Sequence, residues 1–168
     1  ALALAGSLSG CGSSGPAEGQ TFAMDTVMNF SAYGKTGEDA ITAARERIYQ
    51  LEAELSRTRE DSLVSVLNQN GAAQDLSAAE QALLSEALTF RDATGGAFDI
   101  TIAPVMDAWG FTTDSPRVPD AGTLSALLPL VDSAALTVTV PAPGEDGSAQ
   151  LAPGQAVDLG GIAKGYAS

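Results

Sequence analysis

No histidine occurs anywhere in the 168 residues. That excludes His-assisted nucleophilic catalysis and imidazole metal ligation within this chain. A single cysteine, Cys11, rules out an internal disulfide. Basic residues are scarce: eight Lys plus Arg stand against twenty-one Asp plus Glu, a net charge of −13. A surface of that sign repels nucleic acid wherever charge matters, so no nucleic-acid partner is expected. Long apolar runs are missing too. The most apolar stretch, at the N-terminus, is too short to span a bilayer.

What is present at that end is Ala1-Leu2-Ala3-Leu4-Ala5-Gly6-Ser7, then Leu8-Ser9-Gly10-Cys11 and Gly12-Ser13-Ser14-Gly15-Pro16. The first part resembles the end of a signal-peptide apolar region without its basic start, so residues are expected upstream. Leu8-Ser9-Gly10-Cys11 resembles a bacterial lipobox, which makes Cys11 the expected lipidation site. The Gly/Ser/Pro stretch reads as a flexible tether, with 1–20 as partial signal peptide, lipobox and tether. The address implied is the extracytoplasmic face of a bacterial membrane, held by lipid and periplasmic if the cell is Gram-negative.

From residue 21 the length suits one domain with a sizeable core. Thr21 to Tyr33 alternates, with Phe22, Met24, Met28 and Phe30 on one face, and reads as a half-buried strand. Gly34 to Gly37 turns the chain. Thr36 and Asp39 form a capping-box variant before a helix with Ile41, Ala44, Ile48, Leu51 and Leu55 inward. A shorter helix is expected over Ser62–Gln69, with Asp61 or Ser62 as N-cap. Ser77-Ala78-Ala79-Glu80 is a capping box opening a helix to about Ala93, which Gly95-Gly96 stops. A short helix at Thr123–Leu128, a strand at Leu136–Val140, a polar turn at Pro141–Gly147 and a pairing strand at Gln155–Leu159 complete the pattern. The class is α+β.

Four stretches carry possible chemistry. Val157-Asp158-Leu159-Gly160-Gly161-Ile162-Ala163-Lys164 reads as strand, glycine turn and helix start, cut off in its first helical turns. Its free amides favour an anion, Asp158 adds a carboxylate and Lys164 a cation. It lacks the spacing of a Walker loop or dinucleotide fingerprint. A glycine carbonyl beside a carboxylate also suits a hard cation such as Mg²⁺, while a plain packing turn is the structural alternative. Gly95-Gly96-Ala97-Phe98-Asp99-Ile100-Thr101, leading to Pro104 and Trp109-Gly110-Phe111, places an aromatic and an acid beside exposed amides, suited to a planar heterocycle; a helix C-cap explains the glycines equally. Leu55-Ser56 through Asp61-Ser62 to Leu67-Asn68 crowds polar residues at a helix junction, as capping alone would. Met24-Asp25-Thr26 by itself is strand sequence.

Together, in this order, the four stretches resemble the ApbE family, the FAD:protein FMN transferases, many of which are periplasmic lipoproteins. The resemblance runs from about residue 21 to the last residue. It implies an ApbE-like (T-fold-like) mixed sheet with packed helices, and it makes 21–168 the N-terminal portion of a flavin transferase domain, truncated on its C-terminal side. The implied chemistry splits the FAD pyrophosphate, attaches FMN through a phosphoester to a Thr or Ser of a target protein, and releases AMP, with Mg²⁺ required. By motif, Met24, Ala97, Phe98, Asp99, Asp158 and Lys164 would lie against FAD, Lys164 near its phosphates. Thr58 stands where relatives often carry a tyrosine of the same site. Gly161 would give its carbonyl to Mg²⁺. Asp25 departs from the Met-Gly-Thr pattern. The catalytic residues are not assigned: the remaining Mg²⁺ ligands and a His-containing block belong to the second half of family members, and the 168-residue chain alone is expected to have no transferase activity. FAD pyrophosphatase activity, a non-catalytic flavin- or nucleotide-binding lipoprotein, and a structural lipoprotein are the alternatives.

Overall fold

The computed structural model describes residues 15–141 and 147–168. Cys11, the lipobox and most of the tether lie outside the described residues, as does most of the polar turn expected at Pro141–Gly147. The described chain divides into two compact units, one ending at Tyr49 and the other running Gln50–Ser168.

In the first unit, the alternation expected to form one strand is a hairpin. β1 (Ala17–Ala23) pairs antiparallel with β2 (Thr26–Ala32), in a register that sets Thr21 opposite Met28 and Ala23 opposite Thr26. Met24 and Asp25 form the two-residue turn with φ of 50° and 57°. Both lie in the left-handed region that a tight hairpin turn demands. The turn shifts the phase of the pattern. Thr21 and Ala23 are buried while Phe22 points outward, 65% exposed, against the expected face. β1 also begins at Ala17, inside the expected tether. Gly19 lets α1 (Gly37–Leu55) press close: a Cβ there would meet Ile41 Cγ2 at 2.6 Å. Tyr49 and Thr21 close the unit through a hydroxyl–hydroxyl hydrogen bond.

The second unit builds its core from α2 (Leu63–Asn70) and α3 (Ala78–Ala93) with a three-stranded sheet. Ser62 caps α2, accepting the Ser65 amide at 3.0 Å. Ser77 and Glu80 form the expected reciprocal capping box on α3. Between the helices runs β3 (Ala72–Leu76), which the sequence pattern did not reveal. The sheet order is β3-β5-β4, with β4 (Thr137–Thr139) and β5 (Gly147–Gln150), and every pairing among the described residues is antiparallel. Val64, Leu67, Leu83, Leu84, Ile100, Val157 and Leu159 are almost fully buried and form the centre of this unit. After α3 come a 3₁₀ turn (Ile100–Ile102), α4 (Ala103–Trp109) with Pro104 in its first turn, and α5 (Ala121–Leu127). α6 (Gly160–Tyr166) ends the unit. No helix among the described residues is long and apolar enough to cross a membrane.

The strand expected at Gln155–Leu159 is irregular, and β5 lies earlier, at Gly147–Gln150. Side chains replace the missing ladder. Asn68 accepts the Val157 amide at 2.6 Å and donates to the Val157 carbonyl at 2.9 Å. The Asp158 amide donates to the Ile100 carbonyl at 2.7 Å. Gln155, itself buried, donates to the carbonyls of Asp132 and Leu130. The Val157 amide and carbonyl and the Asp158 amide are satisfied without a neighbouring strand, which lets this apolar run stay extended outside any sheet.

Candidate functional site

The terminal glycines do not form a turn ahead of the helix. Gly160 and Gly161 are the first two residues of α6, with neither in the left-handed region. Asp158 anchors that start: its Oδ1 accepts the Gly160 amide at 2.7 Å, satisfying one of the free donors at the helix N-terminus. Its Oδ2 accepts from Arg57 Nη1 at 3.0 Å, while Arg57 Nη2 reaches Asp107 Oδ1 at 2.7 Å. Arg57 and Asp158 are only 17% and 15% exposed. Partial burial limits solvent screening, so this bridge holds more firmly than a surface pair. Three segments distant in sequence, the α1–α2 junction, α4 and the start of α6, are tied at one guanidinium.

A second node is Asp99. One oxygen accepts the Thr101 amide at 2.8 Å and its hydroxyl at 2.6 Å; the other accepts the Ser133 amide and hydroxyl, both at 2.9 Å. Burial opposes ionisation, but the Ser133 amide and then the Thr101 and Ser133 groups outweigh it and hold the carboxyl below its ordinary value. Both oxygens of Asp99 are thus turned into the protein. Its immediate neighbour Phe98 has its amide bound to Thr94 Oγ1 at 3.0 Å, and its ring meets Phe90 edge-on with centroids 6.2 Å apart.

Phe98 joins the glycine-rich helix start to a cavity of about 790 Å³ between α3 and α6. Ala82, Glu86, Phe90 and Thr94 of the α3 side face Gly161, Ile162, Gly165 and Tyr166 of α6. A Cβ on Gly161 would come within 3.0 Å of Phe98 Cε2, so the absence of a side chain there lets the ring sit against the helix. The volume falls in the range of small-molecule sites, and the lining is aromatic and apolar with few polar groups, as such sites are.

Of the residues expected to contact FAD, Phe98 lines this cavity, as does Gly161, the expected Mg²⁺ ligand. Asp158 lies at the same helix start, bound to Arg57. Lys164 is exposed on α6 and makes no ion pair among the described residues. Ala97 is exposed in the turn after α3, and Thr58 is exposed at the α1–α2 junction, its amide and hydroxyl engaged with Ser56 Oγ at 3.1 Å. Met24 belongs to the first unit, in the hairpin turn. Arg57, Glu86, Phe90 and Ser133 escaped sequence reasoning. Arg57 stood in a motif already noted and, as one of only eight cations, was the available signal; nothing local marked Ser133.

Among the described residues no three Asp, Glu or Cys side chains gather into a metal-holding group. Both oxygens of Asp158 already serve Arg57 and the Gly160 amide. These donors do not by themselves fit Mg²⁺, which prefers an octahedral oxygen shell.

This α+β fold is one shared by solved ApbE proteins. The ApbE protein of Thermotoga maritima superposes with a TM-score of 0.81 at 26% identity, over 90% of this chain and 50% of that one. The flavin transferase ApbE of Vibrio cholerae superposes at 0.73 with 23% identity, over 90% and 51%. The chain belongs to the ApbE family, which matches residues 24–168. The FAD:protein FMN transferase of Treponema pallidum is 33% identical over 151 residues, 84% of this chain and 41% of its own length. That of Vibrio cholerae is 29% identical over 158 residues, 91% of this chain and 45% of its own length. The chain therefore spans less than half the length of these curated relatives.

Proposed function

We propose that this protein acts as an FAD:protein FMN transferase. The acceptor Thr or Ser hydroxyl oxygen forms a new bond to the FMN-side phosphorus of FAD, the pyrophosphate bond breaks, and AMP leaves with the bridging oxygen; the hydroxyl gives up its proton. The observation that carries this reading is the match of residues 24–168 to the ApbE family, alongside relatives of that activity. The cavity supports it by offering an aromatic-lined space at the helix start that the family motifs build. Within a chain of net charge −13, Lys164 supplies an exposed cation without an ion-pair partner among the described residues, suited to a phosphate. Mg²⁺, when bound, would neutralise phosphoryl oxygens; its ligands would have to include groups other than those described, and Gly161 is the proposed carbonyl donor. We place the protein on the extracytoplasmic face of a bacterial membrane, anchored by lipid on Cys11, with FAD and a target protein as partners.

The test is mass spectrometry of a candidate acceptor protein co-expressed with the full-length protein. A mass increase of one FMN on a Thr or Ser is expected. Free FMN and AMP with an unlabelled acceptor would instead indicate a pyrophosphatase, and unchanged FAD a binding protein. The chain 1–168 assayed alone with FAD and Mg²⁺ is expected to leave the acceptor unlabelled.

A further inference from the structure

Asp158 and Lys164 stand at the start of one helix with opposite charges, yet they are not paired. Lys164 follows Gly160 by four residues and Gly161 by three, which puts it on their face of α6. The tilt of helical Cα–Cβ bonds carries its side chain back toward those glycines, where the Asp158 carboxylate holds the Gly160 amide.

Arg57 keeps the two apart. Its Nη1 occupies Asp158 Oδ2 at 3.0 Å while Oδ1 accepts the Gly160 amide at 2.7 Å, so both carboxylate oxygens are spent. The arginine is itself held from behind. Its carbonyl accepts the Ser65 hydroxyl at 2.9 Å, and Nη2 reaches Asp107 at 2.7 Å. Asp158 is fixed in the same way, its amide on the Ile100 carbonyl. The arrangement is a costly one, because Arg57 Nε is buried and has no hydrogen-bond partner among the described residues. Well-packed apolar side chains often join segments as firmly as a partly buried ion pair. They do not hold a carboxylate away from a lysine. In a chain with eight Lys plus Arg and twenty-one Asp plus Glu, a cation left without a carboxylate is scarce.

Building on the transferase reading above, we infer that Arg57 is a positioning residue of the FAD site: it sequesters the Asp158 carboxylate and so keeps Lys164 unpaired for the dinucleotide phosphates. Arg57 acts through those two residues and touches no substrate. Without its charge, Asp158 pairs with Lys164, and the cation is lost to phosphate although the lysine is unchanged.

The experiment is calorimetric titration of FAD into the purified full-length protein with Mg²⁺ present. Affinity and stoichiometry are read separately, so a smaller folded fraction does not pass for weaker binding. Arg57→Gln keeps an N–H for Asp158 but removes the charge, and is expected to weaken FAD binding about tenfold. Adding Asp158→Asn to it removes the competing charge while keeping an acceptor for the Gly160 amide. That double variant is expected to return to within about threefold of the wild type. A bridge that served stability alone would stay broken in the double variant and give no recovery. On a Lys164→Met background, Arg57→Gln is expected to change FAD affinity by less than about twofold. Wild-type affinity in Arg57→Gln, no recovery in the double variant, or a further tenfold loss on the Lys164→Met background each overturns the inference and leaves the transferase reading standing. If Lys164→Met binds too weakly to titrate, the recovery alone decides. A wild-type protein that binds no FAD overturns the transferase reading itself.

Discussion

Asp99 shows how much a single side chain can differ from its motif. Its place beside Gly95-Gly96-Ala97-Phe98 suggests a ligand contact, yet its oxygens hold Thr101 and Ser133, the latter 34 positions away. That link pins the segment from which Phe98 reaches the cavity. Asp99→Asn keeps the shape but loses the ionised acceptor, and should cost about 1–3 kcal/mol in urea unfolding. The sign with pH follows from the lowered pKa: the unfolded chain binds the proton more readily, so Asp99 stabilises fully above about pH 4 and loses that contribution as pH falls through its folded value. Unfolding measured from pH 6 to pH 3 should therefore fall less steeply for Asp99→Asn than for the wild type. Asn68 makes a comparable argument. Asn68→Leu strands the Val157 amide and carbonyl and should cost about 1–3 kcal/mol by the same measurement.

At the scale of elements, the helices were legible and the strands much less so. α1, α2 and α3 announce themselves by apolar spacing and by their caps, because a helix satisfies its hydrogen bonds within its own sequence. A strand depends on a partner that the local pattern does not name. The sequence pattern of the hairpin matches one strand because alternation continues across Met24-Asp25, and only the positive φ values reveal the turn. Asp25, where the resemblance leads one to expect glycine, adopts φ 57°, which gives that departure a backbone meaning: a residue tolerant of the left-handed region is needed. Gln155–Leu159 failed in the opposite way, an apolar run with side-chain partners instead of a neighbouring strand. Two substitutions belong here. Ser77→Ala removes the capping box of α3 and should cost about 1 kcal/mol in thermal or urea unfolding. Gly110→Ala should cost about 1–2 kcal/mol from its left-handed φ of 69° alone, and more because a Cβ would meet the Ser115 carbonyl at 2.8 Å.

For the whole molecule, the charge of −13 is the dominant property. Mutual repulsion among the acids opposes compaction, so raising salt from about 0.01 to 0.15 M, which shortens the screening length from roughly 30 to 8 Å, should raise the unfolding temperature. Calorimetry across that series checks it; a temperature that falls with salt would mean that bridges such as Arg57 with Asp158 and Asp107 outweigh the repulsion. The proposed lipid anchor is tested at the same scale: on that proposal, Cys11→Ala should move the protein from the membrane to the soluble fraction. The absence of histidine from these 168 residues, their acidic balance, the helices with their caps and the family motifs were determined by sequence alone, because each depends on composition or on residues a few positions apart. Tertiary structure alone decided that Arg57 bridges Asp107 and Asp158, that Ser133 holds Asp99, and that Glu86 and Phe90 share a cavity with Gly161 and Tyr166. Those relations join residues tens of positions apart, and the only force that selects them is the packing of whole elements against one another.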